Sequence, residues 1–290
     1  LETLWNKPQG SGNGFIGRWG FFYHFLDMNT ALRTWDSELS TIDSALLFAG
    51  VLDAGQYFDG PDTNEVRIRF LADTVYRRAE WNLIKNFQPG LPMGWKPSPG
   101  FFGRWQGYNE AMIMYLLALG HPNPTKAIPA SDWTYWTGSY IWSTTFGQSY
   151  VTFPPLFGHQ YSHVWIDFRH IQDAYMLGRG IDYFENSRRA TLAQRAYCTS
   201  NPGLWVGYAA NQWGITASDD PYGYSARGAP PVQNDNGTLV PSAVAGSLRF
   251  AWDVCIPALL NLWDTYRPQL WGPYGFRDAF NLTFNWWDTD

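Results

Sequence analysis

Apolar residues recur with helical spacing along most of the chain, which indicates a mainly α-helical fold. Residues 37–56 illustrate the pattern, with one apolar face and Asp36 or Ser37 as the expected N-cap. The same spacing predicts helices over residues 65–87, 110–119, 131–145, 163–176, 183–198, 241–248 and 252–266. Strand signals are few, apart from a short hairpin predicted within residues 222–241 with Asn236-Gly237 as its turn.

A loose repeat accompanies these helices. A loop rich in Gly, Trp, Tyr and Pro leads to an acidic residue and then to an apolar helix, as in "FFGRWQGYNEAMI" and "LWGPYGFRDAFN". If alternate helices of an α/α barrel begin on the same side, these acids converge around one mouth. No Ser/Gly-rich or charged linker interrupts the chain, so we predict a single all-α barrel domain over residues 1–290.

Composition narrows the choice of ligand. The 290 residues carry a net charge of −5, which is unlike the basic surface of a nucleic-acid binder, and no apolar run is long enough for a transmembrane helix. Aromatic residues make up 18% of the chain, including 17 Trp, and many lie in polar loops. Flat aromatic faces beside polar groups suit sugar rings, although a Trp-rich core is the alternative. The two cysteines, Cys198 and Cys255, allow one disulfide or none.

Carboxylates are the natural catalysts for a sugar substrate, because one protonated and one ionised carboxyl group suffice to hydrolyse a glycosidic bond. Glu110 is the best candidate acid, since it lies between an aromatic loop and an apolar helix that would keep it protonated. The alternative is a first-turn glutamate that serves the helix dipole. The candidate carboxylates are Asp27, Asp36, Glu38, Asp43, Glu110, Asp167, Asp219, Asp220 and Asp278.

The sequence leads to separate predictions for three other acidic residues. Asp278 is the best partner for Glu110, and the adjacent Arg277 either faces away or keeps a carboxylate ionised. Glu38 and Asp43 are placed on one predicted helix, where five positions separate side chains by about 140°. We therefore expect them to act apart, with Asp43 bonded to buried polar groups.

The segment "HQYSHVWIDFR" places His159, His163 and Asp167 four residues apart on a predicted helix. This spacing could chelate a metal, but no zinc-protease motif accompanies it, so polar cleft residues are the favoured interpretation. No phosphate-binding loop or nucleophile elbow is present, and we predict that the protein uses no metal and no cofactor.

Long stretches around these residues resemble the glucoamylase-like domain family, whose characterised members are endo-β-1,2-glucanases of glycoside hydrolase family 144. The matching segments include "GFFYHFLDMNTALRTWDSELSTIDSALLFAG", "MGWKPSPGFFGRWQGYNEAMIMYLLALG", "HQYSHVWIDFRH", "WGITASDDPYGY" and "LWGPYGFRDAFN". The resemblance implies an (α/α)6 toroid, hydrolysis of β-1,2-glucan with inversion, and a periplasmic or secreted location.

The resemblance also implies residue roles. Glu110 corresponds to the general acid and Asp278 to the base, while Glu38 resembles a nucleophile candidate of the related cyclising domains of cyclic β-1,2-glucan synthases. The implied partner is an oligo- or polysaccharide rather than a nucleic acid or a membrane. The residues expected to contact it are Asp27, Trp105, Tyr108, His159, His163, Asp167, Arg169, Asp219, Tyr224, Trp271 and Tyr274.

The chain departs from the family in two ways. It supplies about eight of the twelve helices of a toroid, so we expect the first helices to be missing through truncation or to come from a second polypeptide. Ala31 stands where the family favours glycine. Two alternatives stay open: a retaining transglycosylase or exo-acting β-glucoside hydrolase on the same scaffold, and a non-catalytic glucan-binding domain.

Overall fold

The computed structural model describes residues 1–231 and 234–289 and divides the chain into two compact units. The first unit consists of Leu1–Gly107 and Ala111–Ser139, and the second of Tyr108–Glu110 and Tyr140–Asp290. Helices supply most of the regular structure in both units, as the apolar spacing predicted. Among the described residues, no helix combines the length and the apolar character needed to cross a membrane.

The first unit is a group of helices with short strands between them. Its elements are α1 (Glu2–Asn6), β1 (Gly17–Arg18), β2 (Phe21–Phe22), β3 (Leu39–Ser40), α2 (Thr41–Tyr57), α3 (Thr63–Arg77), α4 (Trp81–Ile84), β4 (Gly94–Lys96), β5 (Gly100–Phe102), α5 (Met112–Leu119) and α6 (Ala130–Thr137). Helix α2 packs against α3 and α5. Strands β3, β4 and β5 form an antiparallel sheet in that order.

Aromatic packing forms the centre of the first unit. The rings of Phe21, Phe48 and Trp81 are fully buried, and Phe21 meets Trp81 edge to face with a centroid distance of 4.7 Å. Phe48 lies 5.9 Å from Trp81 and 5.8 Å from Phe21 in similar edge geometry. Edge-to-face rings are favoured by the aromatic quadrupole, so this trio joins the β1–β2 hairpin to helices α2 and α4.

The second unit joins helices to short antiparallel hairpins. Its elements are β6 (Trp142–Thr145), β7 (Gln148–Val151), a 3₁₀ turn (Leu156–His159), α7 (Tyr161–Trp165), α8 (Ala174–Arg179), α9 (Tyr183–Ser200), β8 (Ala217–Ser218), β9 (Ser225–Ala226), α10 (Pro241–Ala245), α11 (Leu248–Leu270), β10 (Trp271–Gly272), β11 (Gly275–Phe276), β12 (Phe280–Asn281) and β13 (Trp286–Trp287). Helix α9 packs against α11 and β7. A buried Asn186 amide exchanges hydrogen bonds of 2.7 and 3.2 Å with the main chain of Val151, which ties α9 to the β6–β7 hairpin.

Several predicted boundaries are wrong for identifiable reasons. The helix predicted from residue 37 begins at Thr41, because the hydroxyl of Ser40 caps it by accepting the N–H of Asp43. The helix predicted over residues 163–176 is interrupted after Trp165, and the second half of the one predicted over 131–145 is strand β6.

The predicted hairpin is also placed differently. Strand β9 pairs with β8 through the loop 219–224, and Leu239 bridges to Phe280, so Asn236-Gly237 is not a hairpin turn. Residues 232–233 of that prediction lie outside the described residues.

A buried ion pair offers a test of the first unit. Nζ of Lys85 lies 2.8 Å from Oδ2 of Asp132, whose Oδ1 accepts the N–H of Gly90 at 2.9 Å, and Asp132 is buried. Asp132→Ala leaves the ammonium group without its partner, so we expect the free energy of unfolding to fall by about 3–5 kcal/mol.

The matched control is Asp73→Ala, which breaks an exposed pair with Arg77 on α3. We expect a loss of about 0.5 kcal/mol or less from this variant. Urea unfolding of the three proteins makes the comparison, and equal losses for the two variants would contradict a stabilising role for the buried pair.

Candidate active site

Asp278 lies where two hairpins of the second unit meet. It follows the β10–β11 hairpin, where Gly272 pairs with Gly275, and precedes the β12–β13 hairpin, where Phe280 pairs with Trp287. The side chain is half-buried, and its Oδ2 accepts the main-chain N–H of Asp219 at 3.0 Å. The structure therefore brings together two of the predicted site residues, Asp219 and Asp278.

Burial raises the pKa of Asp278, and the neighbouring carboxylates of Asp288 and Asp219 raise it further. The hydrogen bond from the Asp219 main chain acts in the opposite direction, because it favours the ionised form. Arg277 does not counter this effect through a direct ion pair, since its Nη1 donates to the carbonyl of Asp288 at 3.2 Å. A carboxylate with a raised pKa is a stronger base once ionised, which is the property that a general base requires.

Exposed aromatic side chains lie on the same hairpins. Tyr274 is fully exposed at the tip of the β10–β11 hairpin, and Gly275 adopts a φ of +123° that closes the turn. Trp271 is held edge to face against Trp263 and Phe276 with centroid distances of 4.8 and 5.1 Å. A pocket of about 330 Å³ lies between Tyr274, Phe276, Arg277 and Thr289. This arrangement offers aromatic surface within a few residues of Asp278.

The adjacent acids Asp219 and Asp220 have opposite surroundings. Asp220 is buried, and its Oδ2 accepts from Nε of Arg227 at 2.8 Å and from Nδ2 of Asn236 at 3.1 Å. Asp219 is exposed on the β8–β9 loop, which also carries the exposed Tyr224. Asp220 therefore shapes the loop, and Asp219 and Tyr224 are available to a ligand.

Glu110 lies outside helix α5, which begins at Met112 and has no acidic residue in its first turn. The glutamate is therefore not the first-turn residue that the dipole interpretation requires. Its side chain is half-buried with Oε2 shielded from solvent, and its carbonyl accepts the hydroxyl of Ser162 at 3.3 Å. Shielding of one oxygen is compatible with the role of a general acid.

Two aromatic residues of the same loop are held firmly in place. The ring of Tyr108 is buried beside His159 and Tyr183 with centroid distances of 4.8 and 6.1 Å, and burial raises its pKa to about 12. Nε1 of Trp105 donates to Oγ1 of Thr41 at 3.1 Å in the first unit. Tyr108 therefore stabilises its surroundings and offers a sugar almost no surface.

His159 and His163 are buried to about 1% exposure, which does not fit the expectation that they contact substrate. Nε2 of His159 faces the carbonyl of Phe153 at 3.2 Å, and Nε2 of His163 faces the hydroxyl of Ser187 at 2.9 Å. Burial lowers the pKa of each imidazole to about 3. Both rings are neutral parts of the interior in this structure, because burial in an apolar region disfavours the charged form.

Asp167 and Arg169 form an exposed ion pair with each other. The guanidinium group of Arg169 lowers the pKa of Asp167, and Nη2 of Arg249 lies 3.5 Å from the same carboxylate. Each could still contact a ligand, although the ion pair satisfies part of their hydrogen-bonding capacity.

In the first unit, Glu38 and Asp43 lie on either side of one histidine. Nδ1 of His24 lies 2.7 Å from Oε1 of Glu38, and Nε2 lies 3.4 Å from Oδ2 of Asp43. The two acids thus contact the same imidazole rather than each other. Their predicted placement on one helix is wrong, because Glu38 precedes the helix and the 140° argument does not apply. His24 is not among the residues predicted from the sequence, where its signal is its place in "GFFYHFLDMN".

Asp27 belongs to a turn in the same unit. Its Oδ1 accepts three hydrogen bonds from Asn29 and Thr30, and these bonds lower its pKa. Ala31, which stands where the resemblance favours glycine, adopts a φ of +57° in this turn. The left-handed conformation explains that preference, since glycine adopts it without steric cost.

The two cysteines and the candidate metal ligands can be compared with the expectations above. No group of three His, Cys, Asp or Glu side chains within it is arranged to hold a metal ion. Cys198 and Cys255 are both free and buried.

Comparison with known proteins identifies relatives over nearly the whole chain. The "Putative glucoamylase" family model matches residues 103–290. An exo β-1,2-glucooligosaccharide sophorohydrolase (non-reducing end) of Parabacteroides distasonis is 31% identical over 299 residues, covering 92% of this chain and 41% of that protein. The chain thus spans about two fifths of the length of this curated relative.

Solved structures extend the similarity to the fold. A β-1,2-glucanase from Parabacteroides distasonis aligns with a TM-score of 0.86 and 29% identity over 99% of this chain and 44% of the other. An endo-β-1,2-glucanase from Chitinophaga pinensis, solved with sophorotriose and glucose, aligns with a TM-score of 0.86 and 26% identity over 99% of this chain and 69% of the other.

The buried histidines predict a pH dependence of stability. Between pH values of about 6.5 and 3, each histidine binds a proton in the unfolded chain but not in the folded protein, so stability is lost as the pH falls. We expect His163→Gln to reduce the slope of unfolding free energy against pH by about 1.4 kcal/mol per pH unit in this range.

Denaturant unfolding between pH 4 and pH 7 measures this slope. His170→Gln changes an exposed histidine of the same unit and should leave the slope unaltered. A His163→Gln slope equal to that of the unaltered protein would mean that His163 takes up a proton while folded.

Proposed function

Because the chain belongs to the glucoamylase-like family, we propose that it is a glycoside hydrolase that cleaves β-1,2-glucan. The relatives named above act on β-1,2-linked glucose chains, and they resemble this chain over almost its entire length. The observation that carries the proposal is the half-buried Asp278, which has a raised pKa, contacts the main chain of Asp219 and directly follows a hairpin with exposed aromatic residues.

We propose an inverting reaction with Glu110 as general acid and Asp278 as general base. Asp278 takes a proton from a water molecule, whose oxygen bonds to the anomeric carbon. The bond from that carbon to the glycosidic oxygen breaks, and Glu110 supplies the proton that the leaving oxygen needs, directly or through a substrate hydroxyl. The shielded Oε2 of Glu110 and the raised pKa of Asp278 are compatible with these roles.

Other predicted residues take binding roles in this proposal. Trp271, Tyr274 and Tyr224 are exposed aromatic side chains suited to the apolar faces of glucose rings. Asp219 is an exposed acceptor for sugar hydroxyls, and Glu38 is proposed as a further carboxylate that acts on the glucan. Trp105, Asp27, Asp167 and Arg169 remain predicted contacts.

We also propose that this chain forms part of an (α/α)6 toroid, the architecture that the family resemblance implies. An (α/α)6 toroid needs twelve helices, so a single domain of this kind would take its first helices from further chain or from a second polypeptide. The periplasmic or secreted location that the resemblance implies likewise remains a prediction.

Endo and exo action give different early products. We propose endo cleavage, in line with the glucanase from Chitinophaga pinensis, which predicts oligosaccharides of mixed length at short times. Sophorose as the sole early product would favour the exo alternative, which the relative from Parabacteroides distasonis supports.

The decisive experiment is incubation with linear β-1,2-glucan, followed by chromatography and proton NMR of the fresh products. Inversion predicts that the new reducing ends appear first as the α-anomer. First appearance of the β-anomer would identify a retaining enzyme instead. Cleavage of other β-glucans but not of β-1,2-glucan would contradict the substrate.

Substitution of the two acids separates catalysis from binding. We expect Glu110→Gln and Asp278→Asn each to lower the turnover rate by about 10²–10⁴-fold, because each removes a proton-transfer group but keeps its shape. Calorimetric titration with β-1,2-gluco-oligosaccharides should give a Kd close to that of the unaltered protein.

Asp253→Asn provides the control, since Asp253 is an exposed acid on α11 and should not affect turnover. Glucan binding without any turnover in the unaltered protein, unchanged by Glu110→Gln, would identify a non-catalytic binding domain.

A further inference from the structure

One histidine in the first unit faces two carboxylates. The ring of His24 places Nδ1 at 2.7 Å from Glu38 and Nε2 at 3.4 Å from Asp43. The three side chains are all partly accessible, with exposed fractions of 34% for His24, 27% for Glu38 and 45% for Asp43. Exposed ion pairs contribute little to stability, so they would not by themselves hold the three side chains together. The backbone and neighbouring rings must support this arrangement.

Backbone pairing supplies the first support. Tyr23 and Leu39 form an antiparallel bridge, and the N–H of His24 donates to the carbonyl of Glu38 at 2.8 Å. Residues opposite each other on antiparallel segments project to the same face with their Cβ atoms about 4.5–5.5 Å apart. The main chain thus places the imidazole directly beside the Glu38 side chain.

Ring stacking supplies the second support. The imidazole of His24 lies nearly parallel to the ring of Phe25, with a centroid distance of 4.1 Å and an angle of 12°. Phe25 is in turn held edge to face by Trp35 at 5.2 Å. Stacking fixes the plane of the imidazole and therefore the directions in which its two nitrogen atoms point.

Asp43 is fixed independently of the histidine. It is the third residue of helix α2, and its main-chain N–H donates to the capping hydroxyl of Ser40. That hydroxyl donates to Oδ2 of Asp43 at 2.5 Å, which gives a reciprocal arrangement similar to a capping box. The far edge of the imidazole therefore faces a carboxylate that the helix start holds in place.

The stem of Glu38 is also restricted. A Cβ atom added at Gly94 would come within 3.0 Å of Cγ of Glu38 and 2.9 Å of the Leu39 carbonyl. Strand β4 thus packs closely against the aliphatic part of the Glu38 side chain. The hydrogen bond of 2.7 Å to His24 then engages its carboxylate.

We propose that His24 is a positioning residue that holds the carboxylate of Glu38 in one orientation, with Asp43 as the second anchor of its ring. The proposal rests on the proposed function, in which Glu38 acts on the glucan. His24 itself does not need to touch the substrate. Groups that orient a catalytic side chain commonly affect activity by about 10–100-fold, because small misplacements of a reacting group are costly.

Two substitutions distinguish the roles of the two nitrogen atoms of the His24 ring. Asn places an amide nitrogen near the position of Nδ1, and Gln places one near the position of Nε2. We therefore expect His24→Asn to keep the bond to Glu38 and to retain kcat within about threefold. His24→Gln and His24→Ala lose that bond, and kcat should fall by about 10–100-fold with KM changed less.

A double-mutant cycle tests whether His24 acts through Glu38. In a Glu38→Gln background, His24→Ala should lower kcat no further, because the group that it positions is already altered. Multiplicative losses from the two substitutions would overturn the proposal, as would equal kcat values for His24→Asn and His24→Gln.

Crystal structures of the same variants test the positioning without reference to activity. Glu38 should occupy one rotamer in the unaltered protein and in His24→Asn, and several rotamers or a displaced one in His24→Ala. An unchanged Glu38 in His24→Ala overturns the proposal even if the enzyme is active. If no glucan is cleaved but Glu38 moves as expected, the proposed function fails while the positioning of Glu38 by His24 stands.

Discussion

A carboxylate removed from water must be met by hydrogen-bond donors, and this requirement organises the acidic residues of both units. Asp132 meets it with Lys85 and the N–H of Gly90. Asp220 meets it with Arg227 and Asn236. Both side chains are buried and fix the loops around them, so they belong to the framework.

The half-buried Asp278 has different surroundings. Asp278 receives one main-chain N–H and faces like charges from Asp219 and Asp288, and its pKa is raised. A cation beside Asp278 would stabilise its ionised carboxylate, as Lys85 does for Asp132. The adjacent Arg277 instead donates to the main-chain carbonyl of Asp288. A carboxylate without a cation beside it is less stabilised but keeps a basic oxygen available, which is the property needed by the general base that we propose.

Regular helices were the predictable part of the fold. Helix α9 spans Tyr183–Ser200 against a predicted end at residue 198, because its caps and apolar spacing are local properties. The start of α2 was wrong by four residues, since β3 pairs with a strand more than fifty residues away. The short hairpins were mostly missed, because two-residue strands carry too few residues for an alternating pattern to emerge.

The candidate site was predictable by residue type but less so by orientation. Asp219 and Asp220 are chemically identical neighbours, and contacts such as the one from Arg227 to Asp220 distinguish the buried acid from the exposed one. His159 and His163 had the spacing of ligands, yet both are interior side chains, and Nε2 of each faces a partner within the second unit. His24 was overlooked because its significance depends on a pairing with Glu38 fourteen residues away.

Short hairpins and turns therefore carry most of the proposed catalytic and binding residues, while helices provide their anchors. Asp278 follows one hairpin, Asp219 lies in the loop of another, and Glu38 directly precedes strand β3. Such segments hold their side chains through main-chain hydrogen bonds rather than through apolar packing, so side chains can change without loss of the framework. The same property makes Glu38 dependent on its neighbours: strand β4 restricts its stem, and the imidazole of His24 restricts its carboxylate.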